Sequence, residues 1–435
     1  MASCYKTAFV VILFSLALAS LFDVSVQPVK ASPKTIVIPQ DYSTINAAIA
    51  DASNGDTILV KKGIYNENIV VDKSITLEGE DKALTIIDGG GKGTVVWINA
   101  NVTVLSGFTI QNSGKNFTDS GIYLNCSVSS SISDNLVMNN NIGIYMLESA
   151  KSHLENNNLS ENKFNFGLFS SNLEGYIQDI GSSNTVDNKP VIYWVNQSNK
   201  QTPENAGYVA AINCSDITVL GASLEKNWQN LLFAYTSDSK VSHITSTLGE
   251  DSIWLIESSN CAVTDNNISE NIWGGLALVN SSGCTVAGNS LKGNGGYGIF
   301  LSYSSDNSFY HNNLIANPKQ TWFYGKNSNS WDNGYPSGGN YWSNYIGADS
   351  KSGFWQNQTG NDGIGDTSYT IDSNNVDNYP LMKSSGTGFS EASLVPIEFY
   401  TVAIVAIISV LVVGAAYLAK ERRAKKTLDP EDRTK

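Results

Sequence analysis

One phrase is written three times between residues 261 and 317, and it restricts the fold more than any other feature of the chain. CAVTDNNISENIWGGLALVNSSG begins at Cys261, CTVAGNSLKGNGGYGIFLSYSSD at Cys284 and NSFYHNNLIANPKQTWFYG at Asn307. Ile268, Leu291 and Leu314 recur at intervals of 23, as do Asn271, Asn294 and Asn317. A period in the twenties is the mark of a solenoid, in which coils must stack to close a core that no single coil can close alone.

The elements inside each period are short. Apolar runs such as Leu276-Ala277-Leu278 and Ile299-Phe300-Leu301 are separated by Asn, Ser, Gly and Asp, and none has the i, i+3, i+4, i+7 recurrence of a helix. The expected fold is therefore all-β, a right-handed parallel β-helix of about 23 residues per coil, in which residues one period apart stack at about 4.8 Å. Inward positions form aliphatic ladders. Turn asparagines ladder through their amides and tolerate left-handed backbone.

The same interval extends towards the N-terminus, where Leu136 and Leu159, and Asn139 and Asn162, are again 23 apart. Before the coils, Ile45, Ala48, Ile49 and Ala52 follow helical spacing with Ser43 available as N-cap, which predicts one short amphipathic helix capping the open first coil. Between residues 173 and 213 the rhythm breaks. That segment reads as a strand pair carrying a polar loop, 197–207, that projects from the stack and is either a functional loop or a tolerated insertion. Residues 328–382 are crowded with aromatics, among them Trp331, Tyr335, Trp342, Tyr345, Trp355 and Tyr369. They predict a C-terminal cap whose rings close the last coil, with a carbohydrate-stacking surface as the sharper reading.

Two apolar segments frame this region. Lys6 precedes a mostly apolar run, and residues 1–31 read as a signal peptide, or as an uncleaved anchor. Residues 399–419 contain no charge and are long enough to cross a bilayer as one helix; Lys420, Arg422, Arg423, Lys425 and Lys426 follow at once. The positive-inside rule then places the tail, 420–435, in the cytoplasm, and the ectodomain, 34–382, outside the cell membrane, joined by a linker, 383–398. Sequons at Asn101, Asn116, Asn125, Asn158, Asn196, Asn213, Asn267, Asn280 and Asn357 agree with a glycosylated exterior, although a chain rich in Asn, Ser and Thr also produces such triplets by chance.

Candidate chemistry is sparse. Every arginine lies in the tail, at Arg422, Arg423 and Arg433, and the net charge is −13, which argues against nucleic acid as a partner. Cys261 and Cys284 are one coil apart, so stacking brings them to disulfide range; two small buried residues in a ladder are the alternative. The three histidines, His153, His243 and His311, are far apart, and methionines are few, so a copper site has poor raw material. Asp362 and Asp366, in NDGIGD, suit a hard cation such as calcium on glycine-flexed backbone, or else an Asp/Gly turn. No cofactor is otherwise expected.

The opening phrase from Asp41 to Ile69, DYSTINAAIADASNGDTILVKKGIYNENI, resembles the first coils of pectate-lyase-like β-helix proteins, including pectin methylesterases. Pectate lyases of this kind usually use an arginine base with bound calcium, pectin methylesterases two aspartates and an arginine; an ectodomain without arginine departs from both. A closer resemblance is to the NosD family and the archaeal surface proteins grouped with it. NTVDNKPVIYWVNQ (184–197), NNISEN (266–271), GGNYWSNYIG (338–347), DGIGDTSYTID (362–372) and DNYPLM (377–382) carry it. This resemblance implies a β-helix of PbH1 repeats of the CASH carbohydrate-binding or sugar-hydrolase type. The expected function is a membrane-anchored surface protein that binds carbohydrate or another surface component without catalysis. A polysaccharide-active enzyme and a copper-site maturation factor are the alternatives.

Overall fold

A computed structural model describes residues 32–384. The predicted signal peptide, membrane helix and tail lie outside the described residues, as does most of the linker; among the described residues no helix is long and apolar enough to cross a membrane.

Coils contribute one strand to each of three faces. In the first half, Val104–Ser106, Thr109–Gln111 and Ser120–Asn125 form one such coil, feeding a seven-stranded, a thirteen-stranded and a five-stranded sheet respectively. In the second half, two six-stranded sheets join the continuation of the thirteen-stranded one. Neighbouring coils pair in parallel, so the fold is the expected β-solenoid. The period is not uniform. Ser120, Ile142 and Phe164 pair at intervals of 22, whereas Asp251, Gly274 and Tyr297 pair at 23.

That difference of one residue corrects the reading of the first half. Leu136 pairs with Asn158, and it is Val137 that pairs with Leu159 and lies fully buried. The interior amide ladder likewise runs from Asn140 to Asn162, while Asn139 takes the left-handed turn, with φ 55°. A strand alternates its faces, so an error of one residue exchanges core for solvent.

Two kinds of ladder hold the coils together. Apolar columns such as Val219, Val241, Val263, Val286 and Phe309 run through one face, one inward side chain per coil. Asparagines form the second kind at the corners. Asn266 donates its side-chain N–H to Asn289 Oδ1 at 2.8 Å, Asn289 to Asn312 at 2.9 Å, and Asn312 to Asn340 at 2.9 Å. Each also donates to a carbonyl of the preceding coil, as Asn289 does to Val263 at 2.8 Å. Each amide of this ladder therefore replaces the water it loses, which a turn of bare backbone would not.

The helix spans Ile45–Asp51, and its N-cap is Thr44 rather than Ser43: Thr44 Oγ1 accepts from Ala47 N at 3.2 Å. The break in rhythm is a reversal. Thr185–Val186 pairs antiparallel with Lys189–Val195 across Asp187 and Asn188, both at positive φ (46° and 65°), the geometry of a type I′ turn. Lys189–Val195 then pairs in parallel with Tyr208–Ile212, and the second half builds from there. The polar segment does not project as a loop. Ser198–Gln201 is an edge strand paired in parallel with Ser215–Leu220, and Thr202 and Ala206 are buried beneath it.

Beyond the last coil, indole rings cover the ladder ends. Trp342 pairs in register with Leu314 and stacks on Tyr369 at 4.3 Å; Trp331 stacks on Phe309 at 4.4 Å. Their Nε1 atoms donate to Asp377 Oδ2 at 2.9 Å and Asn375 Oδ1 at 3.0 Å.

Replacing Asn289 by alanine strands the amide of Asn266, its backbone N–H and the Val263 carbonyl at once. We expect a loss of roughly 2–4 kcal/mol by urea denaturation. A loss within about 0.5 kcal/mol, the scale of an ordinary surface change, would remove the ladder from the structural account.

Candidate functional site

Many of the three-residue strands show half-buried, buried and half-buried positions in turn, one inward residue each, as in Thr285–Ala287. Most of the six-residue strands differ. Gly274–Val279 is buried at five positions and Tyr297–Ser302 at all six, so the outer face of this sheet is also covered. Its cover is aromatic. On the five-stranded sheet of the first half, Trp97, Tyr123 and Tyr145 likewise stack through successive coils at 5.8 and 5.6 Å, and Trp228, just before the strand Gln229–Ala234 of the thirteen-stranded sheet, lies 5.2 Å beyond Tyr145. Further along the molecule, Tyr297, Phe300, Trp273 and Trp322 pack together, with Trp273 and Trp322 at 5.9 Å and still half-exposed.

Two carboxyls are set into this face at the start of the strand Asp251–Ile256. Glu250 is 6% exposed and Asp251 4%. Asp251 stands in register between Gln229 on one side and Gly274 on the other. Gly274 is the position that makes the geometry possible. A Cβ there would collide with the Tyr297 ring and with Asp251 Oδ1; without one, Tyr297 OH spans two coils and donates to Asp251 Oδ1 at 2.7 Å.

Burial dominates the electrostatics. It pushes Glu250 up to about 8, helped by the neighbouring Asp251 charge and opposed by the Lys163 ammonium. It pushes Asp251 up to about 7, against the Tyr297 hydroxyl and the Trp254 indole. The Trp254 N–H faces Asp251 without closing a hydrogen bond. A protein carboxyl that holds its proton near neutrality is a chemical resource, either as a hydrogen-bond donor or as a site awaiting a cation.

The residues singled out from the sequence lie elsewhere. Asp362 accepts from Gly353 N, Gln356 Nε2 and Ile364 N, and Asp366 from Ser350 and Lys351, so both carboxylates cap the turns of their own loop. Among the described residues no group of three or more His, Cys, Asp or Glu gathers. His153 bridges Asp179 and Glu155 at the surface, and the Asp179 contact holds its pKa up. Cys261 and Cys284 are free thiols, each 1% exposed; the Cys284 contact and burial hold the Cys261 thiol up. All nine sequon asparagines are exposed or half-exposed, with Asn213 donating to Asn196 at 2.6 Å and Asn280 to Glu257 at 2.8 Å.

Glu250, Asp251, Trp254 and Trp273 were not among the residues singled out from the sequence. The signal was present: aligned on the period, GED stands where other coils carry NWQ, IWG or GGY, two acids at the entrance of a strand whose equivalents are neutral.

Residues 167–347 match the family described as "Periplasmic copper-binding protein (NosD)". This stretch is NosD-like. A cell surface glycoprotein of Methanothermus fervidus is 34% identical over 111 residues, which is 25% of this chain and 18% of that protein, so the NosD-like chain matches less than a fifth of its relative's length. Among solved structures, the catalytic domain of a GH87 alpha-1,3-glucanase in complex with tetrasaccharides aligns at TM-score 0.36 and 11% identity, covering 71% of this chain and 69% of that one. DFA-IIIase from Arthrobacter chlorophenolicus aligns at TM-score 0.34 and 13% identity, covering 67% and 90%.

The raised carboxyls predict a pH effect of defined sign. Unfolded, they titrate near about 4; folded, at about 8 and about 7. Across that window the folded state keeps protons that the unfolded state releases, so stability falls as pH rises. Glu250→Gln removes the Glu250 share, and the variant should gain on the wild type between about pH 5 and about pH 9 in urea denaturation. An unchanged difference across that range would contradict the burial of Glu250.

Proposed function

We propose that this NosD-like β-helix is a cell-surface protein that binds carbohydrate along the outer face of its long-strand sheet without catalysis, held at the membrane by residues 399–419. The observation that supports it best is the aromatic row on that face. Trp254 and Trp273 stand half-exposed on neighbouring coils, and the half-exposed Trp322, two coils beyond Trp273, reaches back to within 5.9 Å of it. Stacked coils space such rings at intervals set by the strand separation, and the apolar faces of sugar rings pack on aromatics while their hydroxyls take hydrogen bonds. The match to a surface glycoprotein supports the location. Glycans on the exposed sequon asparagines are part of this proposal.

A second reading, a polysaccharide-active enzyme, draws on one observation: Glu250 and Asp251 both hold protons near neutral pH, as a general acid must. It lacks the arginine on which pectate-lyase-like enzymes usually rely.

Glycan-array binding followed by a product assay separates the two. Binding without new reducing ends or unsaturated products is the expected result, and Trp273→Ala with Trp322→Ala should weaken it by about 10-fold or more, the scale of one lost stacking platform. Product formation would establish the enzyme instead. An array with no binding would end the carbohydrate reading.

A further inference from the structure

The outer face around residue 250 is short of hydrogen-bond partners in a consistent way. No described residue hydrogen-bonds the Glu250 carboxyl, although Glu250 is only 6% exposed. Gln229, fully buried and in register with Asp251, leaves its Oε1 without a donor. Trp254 leaves its Nε1 without an acceptor. Buried polar groups are satisfied almost everywhere else in proteins, so a cluster of unsatisfied ones marks an absent partner. That partner must bring donors for Glu250 and Gln229; an ammonium group does so and, once seated, draws off the proton that burial otherwise keeps on Glu250.

The walls decide between kinds of cation. A hard metal ion takes six to eight oxygens, and this wall offers Glu250, Asp251 and one amide oxygen, with Asp251 already committed on one side to Tyr297. The remaining neighbours are the rings of Trp254, Trp273 and Tyr297, which give no ligand to a metal but attract an ammonium. The face already packs ammonium groups in this way: Lys163 Nζ lies 4.8 Å from the Phe164 ring centre and Lys319 Nζ 4.4 Å from that of Trp322. Lys163 is exposed and acts on Glu250 only through space.

We propose that Glu250, backed by Asp251 and Gln229, is a subsite for the ammonium group of an amino sugar. This rests on the carbohydrate reading and adds a chemical class to it: glycans bearing free amines. Glu250 is the direct contact. Asp251 and Gln229 make the wall behind it rich in acceptors, and Gly274 keeps Tyr297 locked on Asp251 so that Glu250 faces the ligand alone.

Two oligosaccharides that differ only at the nitrogen test this on the detergent-solubilised full chain: a β-1,4-linked glucosamine oligomer and its N-acetylated counterpart, in calorimetric titration. The free-amine oligomer should bind about 10-fold tighter or more. Glu250→Gln should bring that ratio to about one while leaving the acetylated oligomer unaffected, and Glu250→Asp should keep part of it; thermal melting confirms that both variants are folded. A wild-type ratio near one, a ratio unchanged in Glu250→Gln, or failure of both oligomers to bind overturns the subsite. Displacement of the amine oligomer by calcium chloride in wild type but not in Glu250→Gln would assign the site to a metal instead. The carbohydrate reading itself stands or falls separately, on the glycan array.

Discussion

Parallel stacking of one coil on the next is the constraint from which everything else in this protein follows. Backbone hydrogen bonds between coils are satisfied by any sequence, but the side chains that fill the corners are not free. A buried corner must offer its neighbour above an acceptor and its neighbour below a donor, and asparagine does both in one residue. The columns from Asn266 to Asn340 and from Asn271 to Asn317 meet that demand at every step. Serine and threonine meet it more weakly at the third corner, where Thr236 N donates to Ser258 Oγ and Ser258 N to Ser281 Oγ.

Much of this was legible in the chain. The phrase from Cys261 to Asn317 identifies the solenoid, and the ladder of Ile268, Leu291 and Leu314 is in register as its spacing demands. The first half was misread by one residue. Its coils from Ser120 to Phe164 are 22 long, and Leu136 beside Val137 offers two aliphatic side chains, either of which could point inward on composition alone; only pairing across coils decides which does. The reversal at Asp187-Asn188 was legible as a disturbance and not as a hairpin, because Asp and Asn serve equally in the single left-handed turns found throughout this fold.

The candidate site was less legible than the fold for a physical reason. Motif reading looks for reactive residues close together in sequence, whereas a solenoid assembles neighbours from residues 22, 23 or 46 apart. Tyr297 and Asp251 are joined across two coils, and nothing local in either phrase links them. The conspicuous NDGIGD motif, by contrast, is local, and its carboxylates are consumed in shaping their own loop.

The missing side chain at Gly274 has a wider meaning. In a stack where every position is repeated, most substitutions produce another copy of the same surface, and individuality is hard to write by addition. Here it is written by subtraction: one omitted methyl lets a tyrosine skip a coil, seize a carboxyl and leave the adjacent acid without company. A repetitive scaffold of this kind acquires a singular place through a deletion smaller than any loop.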